Sequence, residues 1–383
     1  MKINKYKNRI FLSAPHMSGQ EKKYIDKAFS DNYIVPLGPN VDELEDKILS
    51  FLNVKGLHVV AMNSGTAAIH IALKLLEIKQ GEEVFCSTST FVATANPILY
   101  EKAVPIFIDS EPETWNICPL SLQRAIDIKR KSNSKIPRVL ITVDLFGKSC
   151  NYDDISRICK ENNIKIIEDS AEALGSTYKQ NKCGVFGDYG IFSFNGNKII
   201  TTSGGGALVT HSKKDAQKAL FLITQARDKA QFYLHSQTGY NYRMSNISAG
   251  IGIGQMNVIE NRVNQRRNNF KIYKQLLKDC PVTFLKEDQD SRSNHWLSTI
   301  LINEDSKVKP EKLIEALDLY NIEARRVWKP LHTQPLFSNN DFFTVHDKPV
   351  SEDIFERGLC LPSSSFLKEI EIKDICEIIK STF

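Results

Sequence analysis

The sequence predicts an α/β protein, with a large domain built on a mostly parallel sheet and a smaller α+β domain at the C-terminal end. Three observations carry this expectation. The chain has 383 residues, and two domains suit that length best. Between residues 55 and 210, short apolar runs alternate with helical patterns, the signature of a parallel sheet covered on both faces. Near Ser245 the pattern changes to a long helical stretch followed by a mixed region. The large domain is therefore expected over residues 1–244, and the connecting helix with the small domain over 245–383.

In chain order, a strand at 59–61 precedes a helix at 66–77. A strand at 83–86 is followed by a helix at 91–99 and a strand at 105–108. The strand at 138–143 leads to a helix at 153–161, then to strands at 164–168, 191–194 and 207–209. Sheets of this kind bind ligands at the carboxyl ends of their strands, so chemistry is expected there. Beyond Ser245, Ile247, Ile251, Val258, Ile259 and Val263 recur at helical spacing and predict one connecting helix ending near Asp279. Gly250, Gly252 and Gly254 each cost that helix roughly 1 kcal/mol against alanine, which close helix approach would offset. Segments 296–302, 314–319, 324–328 and 370–379 supply the small domain.

Hydrophobic residues make up 42% and charged residues 25%, an ordinary globular composition that argues against disorder. The net charge of +5 is spread over mixed-sign stretches, and the densest basic run, Lys129-Arg130-Lys131, suits a helix end or loop. These charges read as solvated faces, so no nucleic-acid partner is expected. Eight cysteines with no CxxC spacing suit reduced thiols in a cytoplasm. The eight histidines form no HExxH or HxxxH pair, so no metal is expected. The N-terminus is polar and basic without an apolar h-region after it, and the uncharged stretch 84–100 is too short and hydroxyl-rich for a bilayer. A soluble, cytoplasmic protein is the expectation.

Chemistry-bearing residues cluster at the strand ends. The strand at 164–168 runs into Asp169, then Ser170-Ala171-Glu172-Ala173-Leu174-Gly175. Aspartate caps helices well, so this segment alone fits a cap as well as a functional carboxylate. The functional reading needs a cationic partner, and the protonated ring nitrogen of pyridoxal 5'-phosphate (PLP) is one. Lys198 follows Phe192-Ser193-Phe194-Asn195-Gly196-Asn197 and precedes a turn rich in hydroxyls and glycine. A solitary lysine is usually a surface residue, but a lysine that joins a cofactor as a Schiff base needs such a loop. The Gly204-Gly205-Gly206 run matches neither a Walker A loop nor GxGxxG.

Asn63-Ser64-Gly65-Thr66-Ala67-Ala68 runs from strand to helix, as an ordinary capped start or as a phosphate seat made of free N–H groups and hydroxyls. Phe91, beside Thr88-Ser89-Thr90, is either core or a ring that stacks on a flat cofactor. Their order supplies an anion site, a ring face, a partner for a pyridinium and an amine.

Those motifs, with Gly239-Tyr240-Asn241-Tyr242-Arg243-Met244-Ser245, resemble the DegT/DnrJ/StrS sugar-nucleotide aminotransferases, PLP-dependent transferases of fold type I. The resemblance runs from Phe11 to Ser363. It implies that Lys198 is the Schiff-base lysine and Asp169 the partner of the pyridine nitrogen. Gly65, Thr66 and Ser193 resemble the phosphate contacts, Phe91 the stacking ring, and Glu172 a polar residue near the ring oxygen where the family often has His or Gln. Asn241 and Arg243 match a segment that reaches the neighbouring subunit's cofactor, which implies a homodimer with shared sites. A branch that replaces the lysine by histidine and dehydrates its substrate is argued against by Lys198.

Pro15-His16-Met17, residues 196–206, residues 291–298 and residues 328–334 are similar to the 4-aminotransferases that make UDP-N-acetylbacillosamine precursors. That similarity implies L-glutamate as donor and UDP-2-acetamido-2,6-dideoxy-α-D-xylo-hex-4-ulose as acceptor. Arg325 and His332 are candidate contacts to its diphosphate, since guanidinium and imidazole groups suit phosphate oxygens. The alternatives are the same reaction on a GDP- or dTDP-linked keto sugar, a PLP-binding regulator without turnover, and a nicotinamide oxidoreductase. The missing GxGxxG counts against the last.

Overall fold

Seven strands of five residues each build the main sheet: β1 (His58–Met62), β2 (Glu83–Ser87), β3 (Val104–Ile108), β4 (Val139–Val143), β5 (Lys165–Asp169), β6 (Tyr189–Ser193) and β7 (Gly206–Thr210). The computed structural model describes residues 3–287 and 289–383. The strand order is β1-β7-β6-β5-β4-β2-β3, and the two-residue strand Phe342–Phe343 joins the outer edge in parallel with β3. β3, β2, β4, β5 and β6 run parallel, while β7 lies antiparallel to both β6 and β1. All seven anticipated strands are present.

Side chains alternate across this sheet, so each strand feeds two cores. Val84 and Cys86 of β2 pack with α1 (Gly65–Leu75) and with the later helix Lys213–Ile223, whereas Phe85 faces the opposite way. There it meets Leu122 and Ile126 of Pro119–Lys131 and Ile155 of Tyr152–Glu161. Near-continuous burial of strands such as Val139-Leu140-Ile141-Thr142-Val143 follows from this double cover.

The anticipated connecting helix is broken into Asn246–Met256 and Ile259–Leu276. Val258 leaves the helical region, at φ −120° and ψ 8°, and a new helix starts after it. The three glycines of the first segment do sit at close approaches. A Cβ on Gly254 would lie 2.9 Å from the Glu21 backbone nitrogen of the helix Glu21–Ser30. One on Gly250 would lie 2.8 Å from Asn40 Nδ2 of Pro39–Leu52. The helix anticipated at 91–99 is likewise split, into a short 3-10 turn at Val92–Thr94 and a helix at Asn96–Tyr100. Pro97 cannot donate a backbone hydrogen bond, so it opens a helix rather than continuing one.

A second sheet contains β8 (Val282–Phe284), β9 (Ser298–Ile302), β10 (Arg325–Arg326) and β11 (Gly358–Leu361) in the order β8-β9-β11-β10, every pair antiparallel. Its core includes Leu313, Leu317, Ile372 and Ile375 from the helices Pro310–Leu319 and Glu369–Thr382. Ile10 joins the same core and bridges Ile322, so the N-terminal segment packs with the C-terminal sheet.

Candidate active site

β5 carries Glu168 and Asp169 to the carboxyl edge of the parallel strands, and β6 ends there at Ser193. Asp169 is buried. Its Oδ2 accepts the Thr94 hydroxyl at 2.7 Å, and its Oδ1 accepts the Ala171 N–H at 3.2 Å. Burial pushes this carboxyl above its ordinary value, while Thr94, Ala171 and the charge of Lys198 pull it down. A buried acid with so few donors calls for a cation in contact.

The N-terminus of α1 faces the same space. Ser64 caps the helix by accepting the Ala67 N–H at 3.0 Å, which leaves the N–H groups of Gly65 and Thr66 at the open end. Gly206 lets β7 pass directly beneath: a Cβ there would lie 2.4 Å from Gly65 N.

Gly65, Thr66, Phe91, Asp169, Glu172, Ser193 and Lys198 all line one cavity of about 370 Å³. Phe91 is 52% exposed, a ring free to be covered by a flat ligand. Lys198 Nζ lies 3.7 Å from Glu172 Oε1 and 4.3 Å from the centroid of the Trp296 ring. An anion seat, an exposed ring, a buried acid and an amine on one cavity fit the phosphate, ring face, ring nitrogen and aldehyde of PLP.

The remaining anticipated residues lie elsewhere. Asn241 and Arg243 do not line this cavity; their segment runs beside Met62 and Asn63, where Tyr242 accepts the Asn63 N–H. Asn241 is exposed, and Arg243 donates to Glu45 at 2.9 Å. Arg325 sits on β10, largely exposed, and donates through Nε to Glu323 at 2.7 Å. His332 has both ring nitrogens engaged. Nδ1 lies 2.6 Å from the Thr88 hydroxyl and Nε2 3.1 Å from Glu352 Oε1, with the ring stacked on Phe342. This imidazole fastens the 331–343 segment to the end of β2, and neither nitrogen is left for a phosphate.

Sequence reasoning missed Thr94, which holds Asp169, and the cavity walls Trp296 and Trp328. Thr94 closely follows the hydroxyl-rich run at 88–90, and both tryptophans lie in segments already singled out, so signals for each existed.

Behind Asp169 sits a second pair of buried acids. Glu168 accepts the N–H groups of Gly184, Phe186 and Gly187, while Asp144 accepts those of Cys150 and the Tyr152 hydroxyl. Ser170 Oγ lies 2.6 Å from Asp144 Oδ2 and 3.1 Å from Glu168 Oε1. One hydroxyl hydrogen cannot serve two carboxylates, so a carboxyl proton supplies the other bond. Burial pushes both acids up, helped at Asp144 by the charge of Asp169 and at Glu168 by the charge of Asp144. Cys183 completes a cluster whose potential ligand atoms lie within 4.8 Å of one another, but its carboxylates are already filled by donors, which does not suit a metal ion.

A lysine and a buried strand-end aspartate on one cavity are the groups that a PLP-dependent enzyme needs. The chain belongs to the DegT/DnrJ/EryC1/StrS aminotransferase family, which it matches over residues 15–380. It is 50% identical to EpsN of Bacillus subtilis (strain 168), named as a proposed pyridoxal phosphate-dependent aminotransferase, over 98% of this chain and 96% of that one. It is 34% identical to the GDP-perosamine synthase of Vibrio cholerae, over 96% and 98% of the two chains. Among solved structures, Helicobacter pylori PseC, an aminotransferase involved in the biosynthesis of pseudoaminic acid, matches with a TM-score of 0.89 at 25% identity, covering 98% of this chain and 99% of that one. The chain is therefore a PLP-dependent sugar-nucleotide aminotransferase of fold type I. No helix among the described residues is long and apolar enough to cross a membrane.

Proposed function

We propose that this aminotransferase moves the amino group of L-glutamate onto C4 of a UDP-linked 4-keto-6-deoxy-N-acetylhexosamine, giving a UDP-4-amino-4,6-dideoxy sugar, a UDP-N-acetylbacillosamine precursor. One observation supports this acceptor above others. Three of the four segments similar to the bacillosamine-type enzymes contribute walls of the cavity, through Asn197, Lys198 and Gly204, through Trp296, and through Trp328.

Bound here, PLP supplies an electron sink that makes the α-hydrogen of an amino acid acidic. Gly65, Thr66 and Ser193 would hold its phosphate, Phe91 would stack on its ring, Glu172 would serve its ring oxygen and Asp169 would keep the ring nitrogen protonated. Lys198 would hold the cofactor covalently through its amine. When free, its amine would act as the base that takes the proton from Cα of glutamate and as the acid that delivers one to C4 of the sugar. The exposed guanidinium of Arg325 suits diphosphate oxygens, a role that His332 does not share. Asn241 and Arg243, outside their own cavity, are proposed to complete the partner's site in a cytoplasmic homodimer.

The likeness to a GDP-perosamine synthase supports a second acceptor class, a GDP-linked 4-keto-6-deoxy sugar. The visible spectrum tests both. Glutamate should bleach the yellow band, and the UDP-linked keto sugar should restore it faster than its GDP- or dTDP-linked counterparts. Faster recovery with GDP transfers the assignment to that nucleotide. A band that glutamate leaves unchanged revives the non-catalytic regulator.

A further inference from the structure

Arg266, on the helix Ile259–Leu276, is only 1% exposed, and no carboxylate among the described residues pairs with it. Burying an unpaired cation is strongly unfavourable unless its donors are well used. Here they converge. One terminal nitrogen donates to the Trp296 carbonyl and the other to the Ser13 hydroxyl at 2.9 Å. Both acceptor residues then turn to a single atom. The Asn197 carbonyl accepts the Ser13 hydroxyl at 2.6 Å and the Trp296 indole N–H at 2.7 Å.

A carbonyl oxygen has two lone pairs, and both are filled. Asn197 directly precedes Lys198, whose own N–H closes the turn onto the Asn195 carbonyl at 3.0 Å. The Lys198 amine then rests 4.3 Å above the centroid of the same indole. Three remote parts of the chain, the N-terminal segment, the long helix and the approach to β9, thus meet at the peptide before the lysine. Packing alone does not require polar convergence of this kind. An ordered turn would hold the amine in place when it is detached from the cofactor, which is when proton transfer needs it within hydrogen-bond reach.

We propose that Trp296 and Arg266 are positioning residues for Lys198: the indole N–H fixes the Asn197 carbonyl directly, the guanidinium does so through Ser13 and Trp296, and the indole face fixes the amine. The proposal rests on Lys198 being the cofactor lysine, so that is checked first by borohydride reduction and peptide mapping of the wild-type protein. A label elsewhere, or none, removes the Lys198 assignment itself.

With the label at Lys198, Trp296→Phe is decisive, because it keeps a ring and removes the N–H. It should lower kcat about 10-fold or more, leave KM for glutamate within about threefold, and move the pH midpoint of the bound-cofactor absorbance by about half a unit or more. Ser13→Ala should shift the midpoint in the same direction by less, and Arg266→Lys should recover part of what Arg266→Met loses. If Arg266→Met does not fold, Trp296→Phe and Ser13→Ala carry the test. A Trp296→Phe protein with wild-type kcat and midpoint overturns the proposal, even if its unfolding temperature falls.

Discussion

Lys198 and Glu172 meet across the cavity with Nζ 3.7 Å from Oε1, while the other carboxylate oxygen of Glu172 accepts the Phe146 N–H at 2.7 Å. The acid is therefore held from behind and faces the amine. Burial pushes its carboxyl up, and the charge of Lys198 followed by the Phe146 N–H pulls it down. Glu172→Gln keeps an acceptor for Phe146 but loses the charge. The bleaching by glutamate, followed by stopped-flow, should slow about 10-fold, equivalent to roughly 1.4 kcal/mol, with folding intact. Equal rates would show that the charge of Glu172 has no part in the reaction.

Lys198→Ala should abolish turnover and the covalent hold on the cofactor together. Beyond the ion-pair contact with Glu172 and the ring contact with Trp296, no described side-chain contact ties the amine to the fold. The near-ultraviolet circular dichroism should therefore stay that of the wild type. Full activity in this variant would remove the lysine from the mechanism.

The Thr94 hydroxyl is the one side-chain donor to Asp169 among the described residues. Thr94→Val conserves shape and removes that bond to a buried acid, a change worth about 1.5–3 kcal/mol. PLP affinity, measured by titration of the apoprotein, should weaken by about 10-fold or more. A smaller loss than threefold would mean that the Ala171 N–H alone holds Asp169.

The acids behind the site give the protein a pH signature. Asp144 and Glu168 both lie above their ordinary values when folded. Acids shifted in that direction contribute stability that is fully present at acid pH, below their unfolded values, and lost as pH rises toward the folded ones. The unfolding temperature should thus carry a downward slope between roughly pH 5 and 8. In Asp144→Asn, the new amide can donate to Ser170 and Ser170 to Glu168, so the slope should flatten while the protein stays folded at pH 8. An unaltered slope would place its origin in other groups.

Gly254→Ala sets two known effects against each other. Helix propensity favours alanine by about 1 kcal/mol. Against that, the added Cβ meets the Glu21 backbone at 2.9 Å, and overpacking of this kind costs about 1–3 kcal/mol. The clash involves backbone rather than a flexible side chain, so net destabilisation is expected in urea unfolding. A stabilised variant would show that the helix Glu21–Ser30 can move aside.

The central strands were legible because strands buried on both faces are apolar throughout, as in residues 139–143. That Gly65, Phe91, Asp169 and Lys198 would share one cavity was legible because their motifs together supply the parts of one site. What escaped depends on partners far away in sequence. Thr94 reaches Asp169 across 75 positions and Trp296 reaches Asn197 across 99, and no local pattern records such pairs. His332 looked free for the same reason, since Thr88 lies 244 positions away. Phe342–Phe343 is too short to show a period, whereas Pro97 stood in plain view as a helix start and was read through.

The bridge between Ile10 and Ile322 also bears on how the protein is made. The Tyr6 and Ile10 N–H groups donate to the carbonyls of Tyr320 and Asn321, and the Glu323 N–H donates back to Ile10. During synthesis residues 6–10 must therefore wait without these partners until residues beyond 320 have left the ribosome. The outer edge of the main sheet waits longer still, for Phe342 and Phe343. Closures of such long loops are slow, and the main parallel core will have formed well before either end is sealed.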